Sequence, residues 1–479
     1  MSETIGEMIL PGTYIDVRAE GLIGVGGIAS GNVGVIGTAS RGPLGEFRVL
    51  GSYSEALDTF GDYDRWDPAA ATPNLTLTRT LEQVFGGGAS TVYAVRVAAP
   101  GASAMASAAW KVNDNATPLF TFTAVTPGTW ANGLKATMDA TGTGPVLLTL
   151  TLSRPNGAAR ETFEGATALA LAQAINANSR WVKVGTLPTG APATTRPTGV
   201  ENTPSTQGGP DGAAAGSTEV AAALDLVANQ PVNLIAIGGF PCKDIGATVL
   251  KHLESTETDN RERIAVLGVS SDTPATIASA DVSVAANARV ILVAPGIKAD
   301  DAARTGEQNK QVSLSAPYAA ALVAGRLAGI APHVSLTNKD VAVDGLTADY
   351  TRAQQKQLLN NRVLVLFRGL GTRVLKGITT DPGAFKQISV RRIVDYAKEG
   401  VRRGSNPYIG KLNNARVRAA LKATLDGFLS GMILDEMLQA YTLDVSATRR
   451  QEIDGVCQVT LTLQPTFSID FVKVIMTLE

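Results

Sequence analysis

The sequence is poor in the side chains on which most chemistry relies. Among 479 residues there are two cysteines, Cys242 and Cys457, and two histidines, His252 and His333. None lies at zinc-ligand spacing, so no metal site is expected. The thiols read as free and buried, with one long-range bond between them as the alternative. Aromatic residues are 5% of the chain and the formal net charge is -1. A near-neutral surface is not one devoted to neutralising nucleic acid. No apolar run reaches the roughly 18 residues of a membrane-spanning helix. The opening MSETIGEMILPGTY has neither the basic nor the apolar region of a secretion signal. A chain made and folded in a cytoplasm, without membrane insertion, is the expectation.

What is present suits a β-rich structural protein. Apolar residues make up 44% of the chain, with 49 glycines and frequent alanine and threonine, and the length implies about three domains. Residues 1–20 hold a short β-type stretch, Thr13 to Val17, set off by Pro11-Gly12, which predicts an arm rather than the first strand of a compact unit. GVGGIA at Gly24 to Ala29 satisfies a loose dinucleotide-binding pattern, but Ser30-Gly31-Asn32 and a strand follow it where that fingerprint needs a helix. A Ser52 N-cap starts a short helix through Phe60, a second helix spans Leu75 to Phe85, and Thr91 to Val97 is a strand.

Residues 99–215 change character, with only 13 of 117 residues charged. Strands are expected at Leu119 to Val125, Val146 to Leu152 and Trp181 to Leu187, a helix at about Thr167 to Asn178, and a Pro/Gly/Thr linker from Pro188 to Gly216. From Ser217 helices and buried-type strands alternate: VNLIAIGGF, RIAVLGV and RVILVAP are each preceded by a helix, and Ala316 to Gly329 is another helix. That alternation predicts a doubly wound parallel sheet. Its strand ends, Gly238-Gly239-Phe240, Ser270-Ser271-Asp272 and Ala294-Pro295-Gly296, form neither a phosphate loop nor a nucleophile elbow. No catalytic or cofactor-binding residue is assigned, and Ser271 and Asp272 are the weak candidates of an enzyme reading.

After Thr347 come a helix, the hairpin VLVLFRGLGTRVLKGITT, and two amphipathic helices, Gln387 to Arg403 and Asn414 to Leu429. Between Lys386 and Lys422 ten basic residues face two acidic ones, Asp395 and Glu399. This local excess reads either as a solvated helix face or as a surface for an acidic partner. The chain closes on two strand-like runs. Val459, Leu461 and Leu463 alternate with polar residues up to Pro465. Phe467, Ile469 and Phe471 then keep one phase while Val472, Val474, Met476 and Leu478 take the other. Such a tail either completes its own sheet or adds a strand to another molecule's.

In order and spacing, PGTYIDV at Pro11, VGVIGTASRGPLGE at Val33, LEQVFGGGASTVYAVRV at Leu81, PGTWANGL at Pro127, GLGTRVLKGITT at Gly369, ISVRRIVDYA at Ile388 and the ending LQPTFSIDFVKVIMTLE resemble the sheath proteins of contractile tails. These are found in myophages, R-type pyocins and contractile injection systems. The resemblance implies an α/β and α+β multidomain fold: a doubly wound α/β core, a C-terminal α+β domain, a β-rich inserted outer domain and extended terminal arms. On this sequence the parts fall at 1–20 (N-terminal arm), 21–98 (core, first part), 99–215 (outer insertion), 216–346 (α/β core), 347–464 (C-terminal domain facing the tube) and 465–479 (C-terminal arm).

The resemblance further implies a non-enzymatic subunit of stacked hexameric rings around an inner tail tube. Its partners would be sheath neighbours in the same and adjacent rings, the tube protein, and baseplate and tail terminator proteins, with no direct contact to nucleic acid. Its place would be a virion tail or contractile particle assembled in a bacterial cytoplasm. The arm residues are then Thr13, Tyr14, Ile15, Val17, Ile469, Phe471, Val472, Val474, Met476 and Leu478, received near Val456 to Leu463. The tube-facing candidates are Arg391, Arg392, Lys398, Arg402 and Arg403. The competing reading is an α/β-fold enzyme or a soluble binding protein that does not polymerise.

Overall fold

The computed structural model describes residues 27–69, 73–99, 106–154, 157–281 and 287–477. The expected N-terminal arm residues Thr13, Tyr14, Ile15 and Val17, and Leu478 at the other end, lie outside them. The chain is a mixed α/β protein of two compact units. Among the described residues, one comprises 31–330 and 337–382; the other comprises 27–30, 331–336 and 383–477.

The larger unit is built on an eight-stranded sheet. Its order is Gly371–Val374, Val363–Gly369, Val290–Ala294, Ile264–Gly268, Leu234–Ile237, Val33–Thr38, Val92–Val97, Phe47–Leu50. The six inner strands are parallel and the two edge strands antiparallel. Inner parallel strands are covered on both faces, which is why they read as continuous apolar runs. Ile36, Ile235, Ile237, Leu267 and Leu292 pack in one cluster with Val220 and Leu224 of helix Ser217–Val227 and with Val249 of helix Cys242–Thr258. The alternate residues Val35, Ala236, Val266 and Ile291 are equally buried.

Helix Ala316–Ala328 has 11 of its 13 residues buried. A helix apolar all round must be covered all round, and this one packs against both the sheet and helix Leu77–Gly87. Close approach there depends on glycine: a Cβ on Gly325 would lie 2.0 Å from the Val84 carbonyl oxygen. The Ser52 cap holds, its Oγ accepting the Glu55 N–H at the start of Tyr53–Phe60.

Residues 106–209 build two antiparallel sheets around a core of their own. Trp110 stacks on Phe122 at 5.4 Å, and helix Ala168–Asn178, capped by Thr167, seals the core with Leu171 and Ile175. Two expectations fail here and at the sheet edge. The stretch 188–216 is not a free linker, because Gly199–Val200 pairs with Val112 and Asn113, and Thr206 bridges to Ala109. The hairpin Val363–Val374, assigned from sequence to the C-terminal part, is the edge of the large sheet. Its Val363 and Val365 face the same core as Ile237, and apolar alternation alone does not say which core a strand joins.

The smaller unit packs helix Ile388–Ser405 against helix Ala415–Leu434, and lays the hairpin Leu438–Ser446 and Gln458–Pro465 over them. Ile393, Ala397, Leu429, Met432, Met437 and Leu438 form its buried centre.

Candidate assembly surface

The hairpin of the smaller unit pairs Leu438 with Pro465 through to Ser446 with Gln458, with one irregularity near Leu438. Its inner face is apolar at Tyr441, Leu443, Leu461 and Leu463, which half-bury against the helices. Its outer face carries Thr442, Asp444, Thr460 and Thr462. The period-2 pattern foreseen for this strand is therefore present. Tyr441 holds the hairpin to helix Ala415–Leu434 by donating its hydroxyl to Asp426 Oδ1 at 2.6 Å. Among the described residues no third strand joins this sheet. Both long edges thus present backbone donors and acceptors that no strand among the described residues pairs, and a lone two-stranded ribbon is marginal on its own.

The segment that follows runs differently from its sequence pattern. Thr466 N–H still donates to the Met437 carbonyl at 3.0 Å. Beyond it, among the described residues, none of 466–477 is in a helix or strand. The side chains of Ile469, Phe471, Val472, Val474 and Met476 are 71–87% exposed.

The basic helices are where the structure corrects the sequence. Arg391 and Arg392 are buried at 5% exposure and cannot form a tube-facing surface. Arg391 stacks over Phe385 at 4.2 Å and pairs with Asp395 at 2.5 Å. Arg392 donates to the carbonyls of Ala331 and Ser30, each at 3.3 Å, and burial lowers its pKa to about 10. Arg402 and Arg403 both pair with Glu399 at 2.6 Å, and Arg403 also donates to the Gly27 carbonyl. Lys398 is exposed, as are Lys411, Arg416 and Lys422. Counting charges along a helix does not separate long stems that turn inward to cap backbone carbonyls from those that reach water. At the turn of the hairpin, Arg449 and Arg418 hold the Glu452 carboxyl below the usual range.

Of the catalytic candidates Ser271 and Asp272, Asp272 is committed to structure. Asp272 accepts from the Gly296 N–H and the Thr347 hydroxyl, and its carbonyl accepts from Tyr350. A depression of about 480 Å3 lies past the strand ends between Trp66, Phe240 and Tyr318, and among the described residues no carboxylate, histidine, lysine or cysteine lines it. Among the described residues no cluster of His, Cys, Asp or Glu is placed to hold a metal ion, and no helix is long and apolar enough to cross a membrane.

Comparison with known proteins agrees with this geometry. Residues 380–479, essentially the smaller unit, match the phage tail sheath C-terminal domain family. The sheath tail protein of Desulfitobacterium hafniense superposes with a TM-score of 0.63 at 18% identity, over 95% of this chain and 100% of that one. The sheath tail protein Lin1278 of Listeria innocua gives 0.65 at 14% identity over 92% of each chain. The helical sheath of the anti-feeding prophage in its contracted state gives 0.57 at 15% identity over 99% of each. Curated proteins yield no match. Residues 380–479 therefore match the phage tail sheath C-terminal domain family, and the chain as a whole has the fold of tail sheath proteins.

Proposed function

We propose that the chain is the structural subunit of a contractile tail sheath. It polymerises as stacked hexameric rings around an inner tail tube and shortens to drive that tube through a target envelope. Its contacts are sheath neighbours in the same and adjacent rings, the tube protein, and baseplate and terminator proteins at the two ends. Its location is a virion tail or contractile particle, assembled in a bacterial cytoplasm.

The observation that carries the reading is the coexistence, within one unit, of a two-stranded hairpin with open edges and an exposed apolar segment just after it. The segment from Ile469 onward adds as a strand to the hairpin of a neighbouring copy, and Thr13 to Val17 adds to the other edge. Each backbone bond so formed contributes roughly 0.5–1.5 kcal/mol net, and each apolar side chain buried adds about 1.5–3 kcal/mol. Several bonds and three side chains on one face make a joint strong enough to survive rotation of the bodies it links. Contraction is then a switch between two packings of rigid units whose joints stay paired. Among the exposed cations, Lys398, Lys411, Arg416 and Lys422 are the tube-facing candidates, in place of Arg391 and Arg392.

Electron microscopy of the purified chain tests the reading. Tubes, or rings with six-fold symmetry, support it; dispersed compact particles at every concentration and salt condition would return the enzyme or soluble-binder alternative.

A further inference from the structure

Gln387 precedes helix Ile388–Ser405 at its N-cap position, yet its side chain makes no cap bond. It is 6% exposed, and a buried amide must find partners. It finds them on the terminal segment. Its Oε1 accepts from Ser468 N–H at 3.3 Å, while its Nε2 donates to the Ser468 carbonyl at 3.5 Å and to Asp470 Oδ2 at 3.1 Å. A primary amide that engages both the N–H and the C=O of one residue imitates a strand partner. Ser468 in turn donates its hydroxyl to Asp470 Oδ1 at 3.3 Å, and the Asp470 carboxylate lies beside the N-terminal end of an 18-residue helix, where negative charge is favoured. With the Thr466 to Met437 bond, the first five residues after Pro465 are tied down, and the run of exposed apolar side chains lies at and beyond this tether.

We infer that Gln387 is a clip that fixes where the C-terminal arm leaves its own body, and so sets the arm's reach and its readiness to pair. The inference rests on the strand-donation reading above. From Phe471 to Thr477 an extended chain spans about 23 Å at roughly 3.3 Å per residue. With the clip open, the root retreats to Thr466 and gains four residues, about 13 Å of slack. A longer, looser tether lowers the local concentration of the arm at its receiving edge and raises the ordering entropy lost on docking. The clip therefore acts on assembly without contributing a contact between copies.

The test uses the full chain. Gln387→Glu keeps the shape and the acceptor for Ser468 but loses the donor and sets a carboxylate against Asp470. It should raise the critical concentration for polymerisation about tenfold. Gln387→Glu with Asp470→Asn restores a donor facing the acceptor and should bring it back to within about threefold. A single variant that polymerises like the parent, or a double variant no better than the single, overturns the clip. Asp470→Ala probes the same contact without altering the helix: amide exchange at Ser468 in the unpolymerised chain should quicken severalfold, and unchanged exchange would count against the clip. Removal of residues 471–479 separates the two levels. If that truncation polymerises normally, strand donation itself fails. If it does not polymerise while Gln387→Glu does, only the clip fails.

Discussion

Gly400 and the ring of Phe428 meet so closely that a Cβ built on Gly400 would lie 1.9 Å from the ring edge. Phe428 also stacks on Tyr396 at 6.0 Å, so the ring cannot swing away without opening the crossing of the two helices. Gly400→Ala should destabilise the smaller unit by about 2 kcal/mol, from overpacking that outweighs the gain in helix propensity. Gly427 sits in the partner helix with nothing within 4 Å of a built Cβ. Gly427→Ala should be neutral or stabilising by up to about 1 kcal/mol. Urea unfolding of the two variants reads both signs; equal effects would mean that the helices do not cross at this glycine.

Arg392 behaves as a structural cation. Arg392→Ala removes a buried side chain together with its bonds to the Ser30 and Ala331 carbonyls, and the lost packing and charge-assisted hydrogen bonds should cost roughly 1–3 kcal/mol. The unfolding midpoint should fall markedly, whereas Lys422→Glu, at an exposed position, should leave it within about 0.5 kcal/mol. A harmless Arg392→Ala together with a destabilising Lys422→Glu would reverse the assignment of these residues.

His252 couples stability to acidity. Its ring lies 3.1 Å from the Arg263 guanidinium, and burial first, then Arg263, lower its pKa from 6.5 to about 4. The folded chain therefore keeps the ring neutral where the unfolded chain protonates it. The associated stability is intact above pH 6.5, is lost as pH falls toward 4, and changes no further below that. The full span is on the order of 3 kcal/mol. His252→Gln should flatten the pH dependence of the unfolding midpoint across this window; an unchanged slope would assign the acid sensitivity to other groups.

Much of this architecture is legible in the sequence because local and global preferences agree. The Ser52 cap, the alternating strand at Val459 to Leu463 and the all-apolar strands of the sheet each announce themselves by a single short-range rule. What is not legible depends on partners distant in sequence. Nothing in the string ISVRRIVDYAK separates Arg391 and Arg392, which reach Phe385, Ser30 and Ala331, from the exposed Lys398 six residues after Arg392. The terminal run has strand chemistry, yet among the described residues none of 466–477 is in a strand, because an alternating pattern does not say which edge a strand would pair with. Gln387 carries no motif at all; it became visible only once Ser468 and Asp470 were seen beside it.

Strand donation is tested most directly by deleting residues 471–479 and following the chain by sedimentation and electron microscopy. The account predicts a folded protein with the parent's circular dichroism and unfolding midpoint that forms no tubes at concentrations where the full chain does. Tubes of normal diameter and length from the truncated chain would contradict it.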